Sequence, residues 1–382
     1  MNRLLLLATL GLAGCNVSTP TPIYVGHVSD KTRLDKAGDQ AELGIRLALA
    51  ELTKDGALAG SLGERPIHVR HTDTRGDLDA FEAQAVRLVS INKCISLFGG
   101  LSAREVEKLD HAQAPLLTFF GYPVVGASNQ VFYLGMMPTQ QGEVLAKVIA
   151  EEAATTRIVI LLDERRADAA ALTASFQNAW PAARKATDVK VEAVIFRFGK
   201  DAKWAELVEQ IQANPPNAIV FAGGVQDFNA WHKVFRKEVL GEIPQLIYAG
   251  DDGEHRAFDL GSDLKINVLM ATALPADPAN PKVAAFTKAY HEAFQTEADV
   301  HAALAYDGFR LFVEALKRAS PQYTLERLRE ELQKTKDFDG VTGTLTITAD
   351  RQAQRPLNVV RWQNGKLAAV KTIALDSERK ER

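Results

Sequence analysis

Short apolar, β-branched runs alternate with stretches of helical periodicity along most of this chain, and the alternation runs twice. Ile23–Val28 (IYVGHV), Pro66–His71, Ile95–Gly99 and Pro115–Phe119 read as strands. Gly38–Lys54, Asp77–Val89, Ser102–Ala112 and Thr139–Ala154 carry apolar residues three and four apart, as helices with one buried face do. The plan then restarts. Arg157–Leu162, Val189–Phe196, Ala218–Ala222 and Gln245–Ala249 read as strands; Ala167–Ala186, Trp204–Ala213 and Asp227–Leu240 read as helices, with a short one after Gly253. Strands that are apolar throughout are buried on both faces, which is the mark of a parallel sheet covered by helices. The pattern predicts an α/β chain with two doubly wound parallel-sheet units in tandem. The tail differs. Val283–Phe294, Val300–Arg318 and Leu325–Lys334 read as helices, and Gly343–Thr348, Leu357–Trp362 and Leu367–Leu375 as an antiparallel meander.

A length of 382 residues suits two such units. Lys plus Arg number 45 and Asp plus Glu 48, a net charge of −3. No basic surplus exists to neutralise phosphates, so no nucleic-acid partner is expected. The first residues read as an export signal. Met1-Asn2-Arg3 is a short positive region and Leu4–Leu12 (LLLLATLGL) is apolar but far shorter than the roughly 20 residues of a spanning helix. Leu12-Ala13-Gly14-Cys15 resembles a bacterial lipobox. That makes residues 1–14 a lipoprotein signal peptide, Cys15 a lipidated first residue and membrane anchor, and 15–22 a Pro-containing tether. Residues 377–382 read as a disordered tail. Cys94 is the one other cysteine; it sits in an apolar run and reads as a buried, inert thiol.

Motifs for chemistry are tested and set aside. No G-x-G-x-x-G or G-x-S-x-G occurs. Gly121–Ser128 imitates a phosphate loop, but Ala127 stands where the lysine must be. His291-Glu292 lacks a second histidine at zinc-site spacing, and His68 and His71 lie three apart in a strand, which points them to opposite faces. No metal, cofactor or catalytic residue is therefore expected. Tyr248-Ala249-Gly250-Asp251-Asp252 leaves two readings for Asp252: a helix N-cap, or a ligand-facing carboxylate at the C-terminal end of a strand.

With these residues in place the chain resembles the leucine/branched-chain amino-acid type of periplasmic solute-binding proteins, from about Ile23 to Leu375. Gly26, Gly38 and Gly44 with Ala48–Asp55 match the first strand and helix. Phe98-Gly99-Gly100-Leu101-Ser102, Ala114–Thr118, Met137-Pro138 through Gln141-Gly142, and Phe198–Asp201 follow in order, then Phe221–Gly224, Gly250–Gly253, Ala305–Asp307 and Phe338–Gly343. The resemblance implies a type I periplasmic-binding fold: two lobes joined by three crossovers, with the ligand cleft between them. Lobe 1 would hold 23–138 plus 274–340, and lobe 2 would hold 139–273 plus 341–376. It implies that lobe 1 clamps a ligand carboxylate on hydroxyls and backbone N–H groups, and that a lobe 2 carboxylate meets the ammonium. Carried over, the ligand-binding residues are Leu101, Ser102, Ala103, Phe120, Gly121 and Tyr122 in lobe 1, and Val225, Gln226 and Asp252 in lobe 2. Ala103 replaces a usual hydroxyl, Tyr122 a usual small residue and Val225 a frequent aromatic, whereas the acid at Asp252 is kept. Arg104 is a candidate compensating cation.

The implied function is an extracytoplasmic, lipid-anchored solute-binding protein of the cell envelope. It would be a monomer that captures a small polar organic ligand, an amino acid or related amide or amine, and delivers it to ABC permease subunits. A sensor module uncoupled from transport is the alternative. An exported enzyme on the same scaffold is the third class, and the sequence offers no nucleophile–base pair for it.

Overall fold

The computed structural model describes residues 20–375 except 34, 57–61, 63, 64, 152–156, 184–191, 239–243, 251, 261–267, 322 and 364. The expected signal peptide (1–14), Cys15, Asp251 and the expected 377–382 tail lie outside the described residues. The first half builds β1 (Ile23–Ser29), α1 (Ala37–Lys54), β2 (Ile67–Asp73), α2 (Leu78–Ser90), β3 (Cys94–Gly99), α3 (Ala103–Asp110), β4 (Leu116–Thr118) and β5 (Val131–Tyr133). These strands form a parallel sheet in the order β2-β1-β3-β4-β5. The next stretch supplies α4 (Pro138–Ala150), β6 (Arg157–Asp163), α5 (Ala167–Ala183), β7 (Glu192–Phe198) and α6 (Trp204–Ala213). It continues through β8 (Ala218–Ala222), α7 (Val225–Glu238), β9 (Gln245–Tyr248), a 3-10 turn at Glu254–Ala257 and β10 (Val268–Thr272).

The chain then returns to the first sheet. α8 (Pro281–Phe294) and α9 (Val300–Ala319) pack against α1, and α10 (Leu325–Gln333) packs on α9. A small antiparallel sheet of β11 (Phe338–Gly340), β12 (Gly343–Ile347) and β13 (Ala353–Gln354) follows, joined to the edge of β5 by a bridge from Tyr133 to Gln352. Finally β14 (Leu357–Gln363) pairs antiparallel with β10 and β15 (Lys366–Ile373) antiparallel with β14, giving a second sheet in the order β15-β14-β10-β9-β8-β6-β7. The result is the two-lobed type I periplasmic-binding architecture.

The central strands are buried from end to end, as their composition predicts; every residue of β8 and β10 is buried. α9 is buried on most of its length, and α1 lies against it so closely that a Cβ on Gly44 would sit 2.2 Å from the Ala302 carbonyl oxygen. A buried polar latch holds the return passage. Asp307 on α9 accepts from the Val341 and Thr342 N–H groups at 2.9 and 2.8 Å, and Arg355 donates to Thr342 Oγ1 and the Leu134 carbonyl.

The structure departs from the expected plan in two respects. The expected three-part meander is split, because Gly343–Ile347 pairs with β11 and β13 while β14 and β15 form a hairpin in the second sheet. Strands β5 and β10 were not anticipated. A short apolar run such as Val268–Thr272 has no periodicity to separate strand from buried helix.

Candidate functional site

Parallel strands of both sheets end at a common cleft, the place where open α/β sheets bind ligands. There a cavity is walled by both lobes. About 50 Å³ of it admits the centres of water-sized bodies, against roughly 10–15 Å³ for a single water. That is room for a small organic molecule.

The first-lobe wall is built from three loops. Gly99 (φ 140°) and Gly100 (φ 84°) carry the chain away from β3, and a Cβ on Gly99 would strike the Val28 carbonyl at 2.2 Å. Thr118 pins two loops together: its Oγ1 donates to the Gly100 carbonyl at 2.8 Å and accepts from the Phe120 N–H at 3.2 Å. Leu101, Phe120 and Gly121 thereby face the cavity. The start of α3 closes on itself. Ser102 Oγ accepts from the Glu105 N–H at 3.4 Å, and the Glu105 carboxylate accepts from the Leu101 N–H at 2.7 Å. The sequence is that of a capping box, Ser-x-x-Glu, with the return bond made one residue earlier, to Leu101 rather than to the Ser102 N-cap. Burial pushes the Glu105 carboxyl above its usual range, and the Leu101 N–H and Arg33 offset that only in part. The Leu101 N–H, just before the helix, is thus already taken by a carboxylate of the chain.

The loop after β1 contributes an ion pair that no motif singled out. Arg33 Nε and Nη2 reach Asp35 at 3.1 and 2.7 Å, a bidentate pair. Asp35 Oδ1 also accepts from the Ala37 N–H at 3.0 Å, at the start of α1. Burial pushes the Asp35 carboxyl up, but Arg33, the Ala37 N–H and His301 together hold it below the usual carboxylate range.

The second-lobe wall repeats the device. After β6, Arg166 pairs with Asp168 through Nε at 3.2 Å and through Nη2. Asp252 lies half-buried across from Arg33 and Asp35 on the same cavity. Its Oδ2 accepts from the Ala273 N–H at 2.7 Å and its Oδ1 from Thr272 Oγ1, which fixes the carboxylate on the end of β10. It does not cap the 3-10 turn; Gly253 occupies that position with φ 88°. Burial pushes the Asp252 carboxyl up despite those hydrogen bonds. Each oxygen keeps a further lone pair for a ligand donor. Glu254, which accepts from the Tyr248 hydroxyl, completes the wall. Two guanidinium groups therefore meet four carboxylates around one cavity.

Of the residues named from sequence, Leu101, Phe120, Gly121 and Asp252 line this cavity. Val225 and Gln226 start α7 and line an adjoining recess that shares Arg166 and Glu254 with it. Ser102, Ala103 and Tyr122 lie outside both linings; Ser102 acts as the α3 N-cap, and Ala103 and Arg104 are exposed. Arg33, Asp35, Arg166, Asp168 and His301 were not foreseen. The two ion pairs share the spacing Arg-x-Asp, which starts three or four residues after a strand in each half, whereas His301 carries no such signal. Cys94 is buried, and burial pushes its thiol up to about 11, which leaves it unreactive. Among the described residues no helix is long and apolar enough to cross a membrane.

Comparison with known proteins agrees with this architecture. The sequence model of a periplasmic binding protein family matches residues 22–366. No curated protein matches the chain in sequence. Among solved structures, a leucine-binding protein from Thermotoga maritima superposes with a TM-score of 0.73 at 20% identity, covering 92% of this chain and 99% of that one. A branched-chain amino-acid transporter substrate-binding protein from Streptococcus pneumoniae, in complex with isoleucine, gives the same values. A solute-binding protein of an ABC transporter from Rhodopseudomonas palustris, in complex with 3,4-dihydroxybenzoic acid, superposes with a TM-score of 0.71 at 17% identity over 92% of this chain and 97% of that one.

Proposed function

The chain belongs to the periplasmic binding protein family, and on that premise we propose that it is a lipid-anchored solute receptor feeding an ABC importer. The lipobox-like Leu12-Ala13-Gly14-Cys15 supports anchoring through Cys15 on the outer face of a membrane. The ligand is a small polar organic molecule with a cationic or amide group, an amino acid or a related amine. One observation carries this reading: among the described residues, the interlobe cavity sets four carboxylates against two guanidinium groups and the His301 imidazole. The excess of negative charge favours a ligand that brings a positive one. The capped start of α3 works in the same direction, because Glu105 already takes the Leu101 N–H that a ligand carboxylate would need.

The mechanism follows from where the charges sit. Arg33 and Asp35 belong to the first lobe, and Arg166, Asp168 and Asp252 to the second. A ligand touching both walls has its full set of partners only when the lobes are closed. Ligand therefore raises the population of the closed form, and that form is what a permease reads. A cation placed against Asp252 lowers its raised carboxyl pKa again, so the pair forms with the carboxylate ionised.

The test is thermal unfolding of the chain against amino acids, amides, ureas, polyamines and aromatic acids. A ligand at about 100 times its Kd adds about 2.7 kcal/mol, several degrees in midpoint for lobes of this size. Amines and amides should raise the midpoint, and aromatic acids should not. The Asp252→Asn variant should bind the hit about 2–5 kcal/mol more weakly, as expected when one side of a desolvated charge pair is removed. Stabilisation by carboxylic acids alone would overturn the cationic reading. An unchanged Asp252→Asn affinity would remove that residue from the site.

A further inference from the structure

Strands β1 and β2 run in parallel register with His27 directly beside His71, and both imidazoles turn to the face covered by α1. There they meet Glu42. His27 Nδ1 and His71 Nδ1 are 3.1 Å apart, Glu42 Oε2 is 4.0 Å from His71 Nδ1, and one ligand atom from each residue lies within 4.8 Å of the others. His27 is fully buried, whereas the side chains of His71 and Glu42 are 22% and 12% exposed. The cluster thus has a closed floor and an open mouth. It lies at β2, an edge strand of the first sheet, and shares no residue with the cleft wall.

We propose that His27, His71 and Glu42 form a binding site for one divalent first-row transition cation, of which zinc is the probe. Two imidazole nitrogens and one carboxylate are the donors that zinc and its neighbours select, whereas magnesium and calcium require an all-oxygen set. The spacing agrees. Ligands at Zn–N distances of roughly 2.0–2.1 Å in a tetrahedron lie about 3.3 Å from one another, close to the 3.1 Å between the two Nδ1 atoms. Three protein ligands leave a position for water at the open mouth.

The surrounding charges say what competes with a metal. Lys31 Nζ lies 2.5 Å from Glu42 Oε2 and 4.0 Å from Asp39, and Arg46 lies 3.7 Å from Glu42 Oε1. The Lys31 ammonium competes for the Glu42 carboxylate and has Asp39 as its alternative partner. Burial, His71 and Lys31 hold His27 well below the ordinary imidazole range; burial holds His71 down as well, against the opposing pull of Glu42. Binding a cation through both Nδ1 atoms, which now share one hydrogen bond at 3.1 Å, requires that hydrogen to leave Nδ1.

The experiment titrates the tag-free, chelator-stripped full chain with zinc chloride in a calorimeter, with magnesium chloride as control. One zinc per chain and no magnesium are expected. His71→Gln and Glu42→Gln should each weaken zinc by at least about tenfold, the lower end of the loss seen even for outer-shell changes at metal sites. Lys31→Met should tighten it by removing the competing ammonium. These positions are partly exposed, and an unchanged unfolding midpoint without metal confirms that each variant folds. No zinc binding overturns the proposal. So does stoichiometric zinc that survives both His71→Gln and Glu42→Gln, which would place it on a surface pair such as His111 with Glu82 or His291 with Glu297.

Discussion

His301 shows how one side chain can tie acidity to closure. It is buried at the start of α9, where it lines the cleft. Asp299 Oδ2 lies 3.6 Å from its Nδ1, an ion pair rather than a hydrogen bond. Asp35 and Asp252 face it from the two walls, and Gly253 packs on its ring. Arg256 adds positive charge nearby, whereas burial and Arg256 lower the His255 imidazole to about 4 and leave it neutral. Burial pushes the imidazole pKa down, but the three carboxylates outweigh burial and raise it above the ordinary 6.5. The sign of the linkage follows. A raised pKa in the folded chain gives a stability contribution that is complete below pH 6.5 and is lost as pH rises through the folded value. The stability difference between wild type and His301→Gln, measured by denaturant unfolding across pH, should therefore be largest in mild acid and shrink above neutrality. A difference that grew with pH would mean that His301 is neutral in the folded chain.

At the scale of elements, α1 and α9 approach each other closely at Gly44. Gly44→Ala would place a methyl group 2.2 Å from the Ala302 carbonyl, and neither helix can yield without moving the core behind it. Overpacking of this kind costs about 1–3 kcal/mol, so the unfolding midpoint should fall by several degrees, at about 2–4 °C per kcal/mol. A midpoint within a degree of wild type would show that the helices separate easily. The same element scale explains what could be read from sequence. Trp204–Ala213 and Ala218–Ala222 have the bounds that their periodicity predicts, because a turn signal stands on each side. Asp77 and Ser102 cap α2 and α3 as their residue types suggest. β5 was missed because it is three residues long and holds its place through partners distant in sequence. The cleft was legible only in part for the same reason. Asp252 stood out as an acid after a strand, but the Arg33–Asp35 and Arg166–Asp168 pairs gain meaning only when two separate loops meet across the cavity. The His27–His71 pair is a matter of strand register, which local patterning does not contain.

At the scale of the whole molecule the two lobes touch across the cleft. Arg256 of the second lobe lies 3.6 Å from Asp299 at the start of α9, and Gly253 packs against His301. Gly253 has φ 88°, a conformation that residues with a side chain rarely adopt, and a Cβ there would lie 2.7 Å from His301 Cε1. Gly253→Ala should therefore act as a wedge across the cleft while leaving Arg33, Asp35, Arg166 and Asp252 in place. Apparent affinity is the intrinsic affinity reduced by the fraction of molecules able to close, so every 1.4 kcal/mol lost from closure weakens binding about tenfold. Small-angle scattering should find a larger radius of gyration for the variant than for wild type at the same ligand concentration. Excess ligand should bring the two values together, since it draws the population toward the closed form. Weaker binding with an unchanged radius at every concentration would place the damage in the local site and refute closure as the step that this glycine permits.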